Sequence, residues 1–554
     1  MSAPIIPCHP GLEPGSIRPL TPRPMDTRKH GCRVTPGTTG VAAIALLLAT
    51  PAVAATPSPT DGLAAYLAAR AAEQSGEGEP LADYRAALDA APANPLVAIR
   101  TYREALAAGD MTLARRAAGV LTRAGVAPMD VALLPLADAA RANDPAAARA
   151  ALVALRADRL VLLVPALDAI VSRAEGKPST VVEPKDGAAR RLAVETRALL
   201  LLANGRTDDG LAAIRALSGG SPATRVAAGE LLIGAGREGD ARALLAGDAF
   251  SLAAARAGAT ASPGLAWGVS RLLLRVAEDL DARDTSATAV ALARAALIAD
   301  PTLQRAHLVL ADQLARGSDA ARASVELDAI PAAGPLADVA AGRRVELLAR
   351  DDRTPAALAL ARRLAEADAA RPIDRARYAD LLFAEQRPAE ALPWYRDLLQ
   401  TDGARDNWSA WLRYGGALDE AGRWRDAEKA LRRALALAPD EPQVLNYLGY
   451  TLADRRLDLA EGTAMLEKAH RLDPDDAAIA DSLGWAYFKA GDAPRALPLI
   501  EGAARALPAD TEVNDHLGDV YQALGRRYEA RYAWAAALLT AAPRDRIRIN
   551  AKLP

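Results

Sequence analysis

Three of the five histidines, His307, His470 and His516, are by type the residues best suited to bind a metal or move a proton near neutral pH. They stand tens of residues apart, and none forms the H-E-x-x-H spacing that sets two imidazoles on one helical face. Both cysteines, Cys8 and Cys32, lie near the amino terminus, so no C-x-x-C thiolate pair is available. The helical neighbours of His470 are Leu466, Glu467 and Asp473, the pattern of a solvated face. His516 stands beside Asp515 and Asp519 and suits a binding groove better than a metal centre. Gly176-Lys177 lacks the preceding glycine and the following hydroxyl of a phosphate-binding loop, and no G-x-S-x-G elbow occurs. The expectation is no enzyme, no cofactor and no metal. What remains is recognition, through aromatic rings and carboxylates carried by a periodic framework.

The framework is visible in four glycines and four prolines. Gly415, Gly449, Gly484 and Gly518 recur every 34 or 35 residues, and Pro439, Pro474, Pro508 and Pro543 follow with the same period. Such a period marks stacked copies of one supersecondary unit. Between the landmarks, residue types repeat at fixed offsets. One copy has Leu483, Gly484 and Tyr487, then Ala496, Ile500, Ala503 and Pro508. The next has Leu517, Gly518 and Tyr521, then Ala530, Trp534, Ala537 and Pro543. Apolar residues three, four and seven apart form one helical stripe. The glycine lets a second helix press against the first, and Leu466 or Trp534 fills the space between. Gly422, Gly491 and Gly525 fall where the first helix must stop. The copy around Gly449 carries one extra residue at that turn.

This pattern resembles the tetratricopeptide repeat, which implies an all-α, right-handed superhelical solenoid of antiparallel helix pairs. The resemblance also implies that first helices line a concave groove. The groove positions here are Asn446, Tyr450, Asp454, Asp481, Trp485, Phe488, Lys489, Asp515, Asp519 and Gln522. Rings flanked by carboxylates suit a peptide with apolar and basic side chains. The lysine and asparagine set that clamps a carboxyl tail in some relatives is replaced by Asp481, Asp515 and Asp519. The competing expectation is that Trp485 and Phe488 pack inside the stack, because large rings are costly to expose.

The composition agrees with helices. The chain of 554 residues is 51% hydrophobic, mostly alanine and leucine, and only 4% aromatic. Its net charge of −2 gives no reason to expect a nucleic-acid partner. Residues 1–55 read as an extension plus a secretory signal. Arg28, Lys29 and Arg33 precede the apolar run Val41 to Leu48, and Ala52-Val53-Ala54 supplies a cleavage pattern. Met25 is a more natural start than Met1. The expected location is periplasmic, with an uncleaved inner-membrane anchor as the alternative. Residues 56–175 read as degenerate repeats, on Tyr84, Ala87, Gly109, Ala114, Leu121 and Ala148. Residues 176–263 read as divergent hairpins and 264–554 as a regular array with a capping segment.

The stretches "VLNYLGYTLADRRLDLAEG", "IADSLGWAYFKAGD" and "VNDHLGDVYQALGRRYEARYAWAAAL" are similar to the end of a family of proteobacterial envelope tetratricopeptide proteins. "YLAARAAEQSGE" and "YRAALDAAPANP" fit that family's first repeat. The similarity implies an exported or membrane-associated protein with no enzymatic activity. The expected function is a scaffold binding other proteins or peptides, with any membrane association made through those partners. The rival roles are an accessory subunit of polysaccharide or cell-wall synthesis and an assembly factor for outer-membrane proteins.

Overall fold

The computed structural model describes residues 59–553, apart from 76–79, 157–158, 179–183, 218–220, 247, 281–285, 318 and 369. The expected signal segment, the glycine pair at 219–220 and part of the loop after Glu175 lie outside the described residues. Among the described residues there are thirty α-helices, two short 3₁₀ turns and no strand. The fold is an all-α solenoid of antiparallel helix pairs. The chain divides into two compact units between Leu347 and Leu348. Sixteen of the helices carry the argument and are labelled here.

In the first unit these are α1 (Pro95–Ala108), α2 (Leu133–Arg141), α3 (Val164–Ala174), α4 (Gly187–Ala203), α5 (Pro222–Gly234), α6 (Leu265–Asp279) and α7 (Ser286–Ala299). Small residues meet at the helix contacts: Ala87, Ala114 and Ala148 are fully buried, and Tyr84 and Leu121 nearly so. Gly109 ends α1 in the left-handed region at φ +76°, which glycine enters without a Cβ penalty. Within this unit α6 and α7 fold back on earlier helices. α6 packs on α2 and α3, and α7 packs on α1 and α2. Arg294 of α7 explains the closure. Its Nε and Nη2 donate to the carbonyls of Leu106 and Ala107, both at 2.8 Å. A guanidinium from 188 positions away thus adds charged donors to the carbonyl end of α1.

The second unit contains α8 (Trp408–Glu420), α9 (Trp424–Leu437), α10 (Pro442–Asp454), α11 (Leu459–Leu472), α12 (Ala477–Lys489), α13 (Ala493–Ala506), α14 (Thr511–Ala523), α15 (Arg527–Thr540) and α16 (Pro543–Asn550). Each even-numbered helix from α8 to α14 pairs with its successor, and α10, α12 and α14 touch side by side. A Cβ on Gly415 would stand 2.8 Å from Leu431, and one on Gly449 would stand 2.9 Å from the Gly462 carbonyl. At Gly518 it would enter the Trp534 indole. Side chains are therefore excluded at the repeat glycines by the next helix, as the spacing predicts. Gly422, Gly491 and Gly525 all have positive φ. In the copy with the extra turn residue, Arg456 takes that conformation instead, at φ 53°. Asp476 and Asp510 open α12 and α14 by accepting two backbone N–H groups each, which satisfies donors the helix cannot.

Candidate functional site

The ten expected groove residues lie on α10, α12 and α14; contacts join Tyr450, Asp454, Asp481, Trp485, Phe488 and Lys489 in one polar and aromatic band around His516, and Lys552 joins Asp515 to Asp519. Asn446, Tyr450, Asp481, Trp485 and Asp515 are buried; Asp454, Phe488, Lys489 and Asp519 are half-buried; Gln522 is exposed. Periodicity accounts for the first group. Residues 446, 481 and 515 hold the same place in successive first helices, where each helix meets the next.

The centre of the band is His516, which the sequence set at the groove beside Asp515 and Asp519 but not among the ten expected residues. Its ring lies 3.8 Å from the Trp485 ring, nearly parallel to it. Its Nδ1 is 2.9 Å from Asp481 Oδ2, and Glu512 lies 3.8 Å from its Nε2. Burial opposes a charge on this imidazole, but Asp481, Glu512 and Asp515 outweigh it and push its pKa up to about 9. An imidazolium therefore sits in the stack at neutral pH. Burial pushes the Glu512 carboxyl above its ordinary range, although His516 and the Tyr450 hydroxyl that donates to it work against this.

The aromatic anchors are not free rings. Trp485 is 8% exposed. It stacks on Phe488 at 5.0 Å as well as on His516, and its Nε1 donates to Asp454 at 2.9 Å. The Lys489 ammonium lies 5.3 Å from the centre of its ring and 3.2 Å from Asp454. The competing expectation describes Trp485 best: it is part of the hydrophobic core between repeats, with Phe488 packed against that core. The reading of Trp485 as a ring open to a partner is corrected accordingly. A neighbouring imidazolium, a carboxylate and a second ring already use its stacking and hydrogen-bonding capacity.

The carboxylates divide in two. Asp515 and Asp519 are engaged by the chain's own end. Lys552 donates to both, at 2.8 Å and 2.7 Å, Arg548 pairs with Asp515, and Trp534 Nε1 reaches Asp519 at 3.2 Å. The capping helix α16 thus fills the acidic end of the band. Toward α10, in contrast, Asn446 Oδ1 and Asp481 Oδ1 are buried acceptors with no hydrogen-bond donor among the described residues. Such atoms are uncommon in folded proteins and call for a reason.

A second cluster escaped sequence reading altogether. In the first unit, Arg271 Nε donates to Glu230 Oε2 at 2.8 Å, and Trp267 Nε1 donates to the same oxygen at 2.9 Å. Arg275 and Thr224 meet Glu195 at 3.1 Å and 2.7 Å. Burial holds the Glu230 carboxyl above its usual range despite the Arg271 and Arg305 charges. Glu195, Thr224, Trp267, Arg271 and Arg275 line a cleft together with Leu192, Leu199, Ala227 and Leu272. No local motif signals it, because the partners come from α4, α5 and α6 and stand up to 80 positions apart.

Paired antiparallel helices, glycine contacts and a polar row along successive first helices define a helix-pair repeat protein. Residues 382–448 match the tetratricopeptide repeat family model, and this stretch of the chain carries tetratricopeptide repeats. A TPR repeat-containing protein of Pseudomonas aeruginosa is 45% identical over 92 residues, which are 17% of this chain and 15% of the relative. Two solved structures are similar in fold. A tetratricopeptide repeat protein from Parabacteroides merdae is 16% identical, with a TM-score of 0.38, over 44% of this chain and 96% of that one. A thermophilic TPR protein of Thermus thermophilus is 22% identical, with a TM-score of 0.30, over 33% of this chain and 99% of that one. The fold is that of a protein–protein interaction scaffold.

Proposed function

We propose that this chain is a non-catalytic scaffold of the cell envelope that holds partner polypeptides along the first-helix face of α10, α12 and α14. The observation that carries the reading is the set of side chains that stay partly accessible on this face, Asp454, Phe488, Lys489 and Asp519, with Gln522 exposed beside them. Phe488 and Lys489 lie about two helical turns beyond Asp481 on α12. Asp454 adds a carboxylate beside them. The partner is accordingly a segment with apolar and basic side chains. The envelope location rests on the basic residues, apolar run and Ala52-Val53-Ala54 pattern at the amino terminus.

Site-specific photocrosslinking tests the reading. A crosslinker at Phe488 or Gln522 should capture the same polypeptide, whereas one at Lys429, whose side chain is 81% exposed on a second helix, should not. Capture from Lys429 alone would move the binding surface elsewhere. Amino-terminal analysis of the exported protein should find residues 1–54 removed.

A further inference from the structure

The second helices of the regular array provide their own controls for an unusual surface. The buried faces of α11, α13 and α15 align through Gly462, Ala496 and Ala530, each the first small contact residue of its helix. The positions opposite that face are Ala460, Ala464, Glu467 and Arg471 in α11, and Pro494, Pro498, Glu501 and Arg505 in α13. These are small or charged, as a solvated outer face should be. The same four positions in α15 are Tyr528, Tyr532, Ala535 and Leu539. Tyr528 and Tyr532 are each 78% exposed and Leu539 is 81% exposed. Their spacing of four, three and four residues makes one straight stripe, set directly opposite the buried Ala530, Ala533, Trp534 and Ala537.

Charge accompanies the stripe. Arg527 and Arg531 lie along one flank, both exposed, and among the described residues neither has an ion-pair partner. Arg526, by contrast, is paired with Glu529 at 3.0 Å. Residues 526–554 contain seven lysines and arginines against two acids, in a chain whose net charge is −2. On the next helix, α16, Arg546 and Ile547 are exposed as well.

We infer that the outer face of α15 docks on an anionic lipid surface. Tyrosines favour the level of lipid headgroups, where the ring meets acyl chains and the hydroxyl meets water. Unpaired arginines beside them are drawn to the negative surface potential, and leucine adds apolar contact below. The shape agrees, since the stripe is the outermost line of a helix and meets a flat surface without a cleft. A second copy of the chain is the poorer occupant. A twofold contact between these faces brings together two segments of the same positive sign, which repel. A stripe of four side chains also falls short of the twenty or more residues a side that a standard protein interface uses.

Flotation of the full chain with large unilamellar vesicles tests the inference. Vesicles of phosphatidylcholine alone are compared with vesicles containing about one-third phosphatidylglycerol. Every variant keeps the amino-terminal apolar run, so the readout is the difference from the parent protein. The parent should partition onto the anionic vesicles about tenfold or more better than onto the neutral ones, and salt should weaken the binding. Tyr528→Ala with Tyr532→Ala, and separately Arg527→Gln with Arg531→Gln, should each lower that partitioning by about tenfold. Arg505→Gln on α13 should leave it unchanged. The altered side chains are exposed, so the helical circular dichroism should match the parent in each variant. Equal partitioning of parent and tyrosine variants, or no preference for anionic lipid, would overturn the inference. So would a dimer in sedimentation that the tyrosine variant abolishes, which would assign the stripe to self-association.

Discussion

Two helical glycines in one repeat should respond in opposite directions to the same substitution. Gly484 is in α12 and Gly502 in α13. A Cβ built on Gly484 would stand 2.5 Å from Ile500 Cγ1 and 3.1 Å from the Ala496 carbonyl oxygen. One built on Gly502 meets nothing closer than the Arg505 guanidinium, at 3.8 Å. Replacing glycine by alanine inside a helix stabilises by about 0.8–1.0 kcal/mol through backbone entropy, and that gain is common to both sites. The difference between Gly484→Ala and Gly502→Ala therefore isolates the cost of pushing α12 away from α13, about 1–3 kcal/mol. Ile500 is fully buried, so Ile500→Ala alone costs about 2–5 kcal/mol. In the Gly484→Ala background it should cost about 1 kcal/mol less, because the cavity receives the new methyl. Hydrogen exchange over residues 477–506 is the appropriate assay, since opening in a repeat array is local and one global transition is not assured. Equal stabilisation by the two alanines would refute the tight α12–α13 contact and the repeat register built on it.

The buried His516 makes the second unit sensitive to alkali. Its folded pKa, about 9, lies above the ordinary value of 6.5. Its contribution, on the order of 3 kcal/mol, is thus full below about pH 6.5 and lost as pH rises through 9. Protection of residues 477–523, after correction for intrinsic exchange, should fall over that window, and His516→Gln should remove the pH dependence. In the first unit, Arg271→Met leaves Glu230 buried without its cation and should destabilise by about 3–5 kcal/mol. Adding Glu230→Leu should recover most of the loss, and a double variant no better than the single would refute the pairing.

The repeat was legible because packing imposes it at every turn. A small residue where helices touch and a left-handed glycine where the first helix ends are local demands, so they recur in the sequence at a fixed interval. Tyr84, Ala87, Ala114 and Leu121 show that the demand persists where the large signature residues are gone. The packing of α7 on α1 was not legible, because it depends on Arg294 of α7 finding the carbonyls of Leu106 and Ala107. The Glu230–Arg271 and Glu195–Arg275 pairs are hidden for the same reason. A single buried charge looks like a surface charge in one sequence, and only its distant partner distinguishes the two.

The groove positions show where a repeat pattern becomes ambiguous. A residue on the inner face of a first helix points both toward the groove and toward the next first helix. For Trp485 the second direction dominates, because the following repeat has His516 where an apolar residue would leave the ring unremarkable. Trp485, His516 and Asp481 are one unit of stability, and the imidazolium is retained because the carboxyl groups of Asp481, Glu512 and Asp515 surround it. The acidic end of the band has a similar internal solution in Lys552 and Arg548 of the terminal segment. What remains for a partner is the partly accessible stretch with Asp454, Phe488 and Lys489. Asp454 also accepts from Trp485 Nε1, and Trp485 stacks on His516, so a ligand that pairs with this carboxylate acts directly on the contact between α12 and α14.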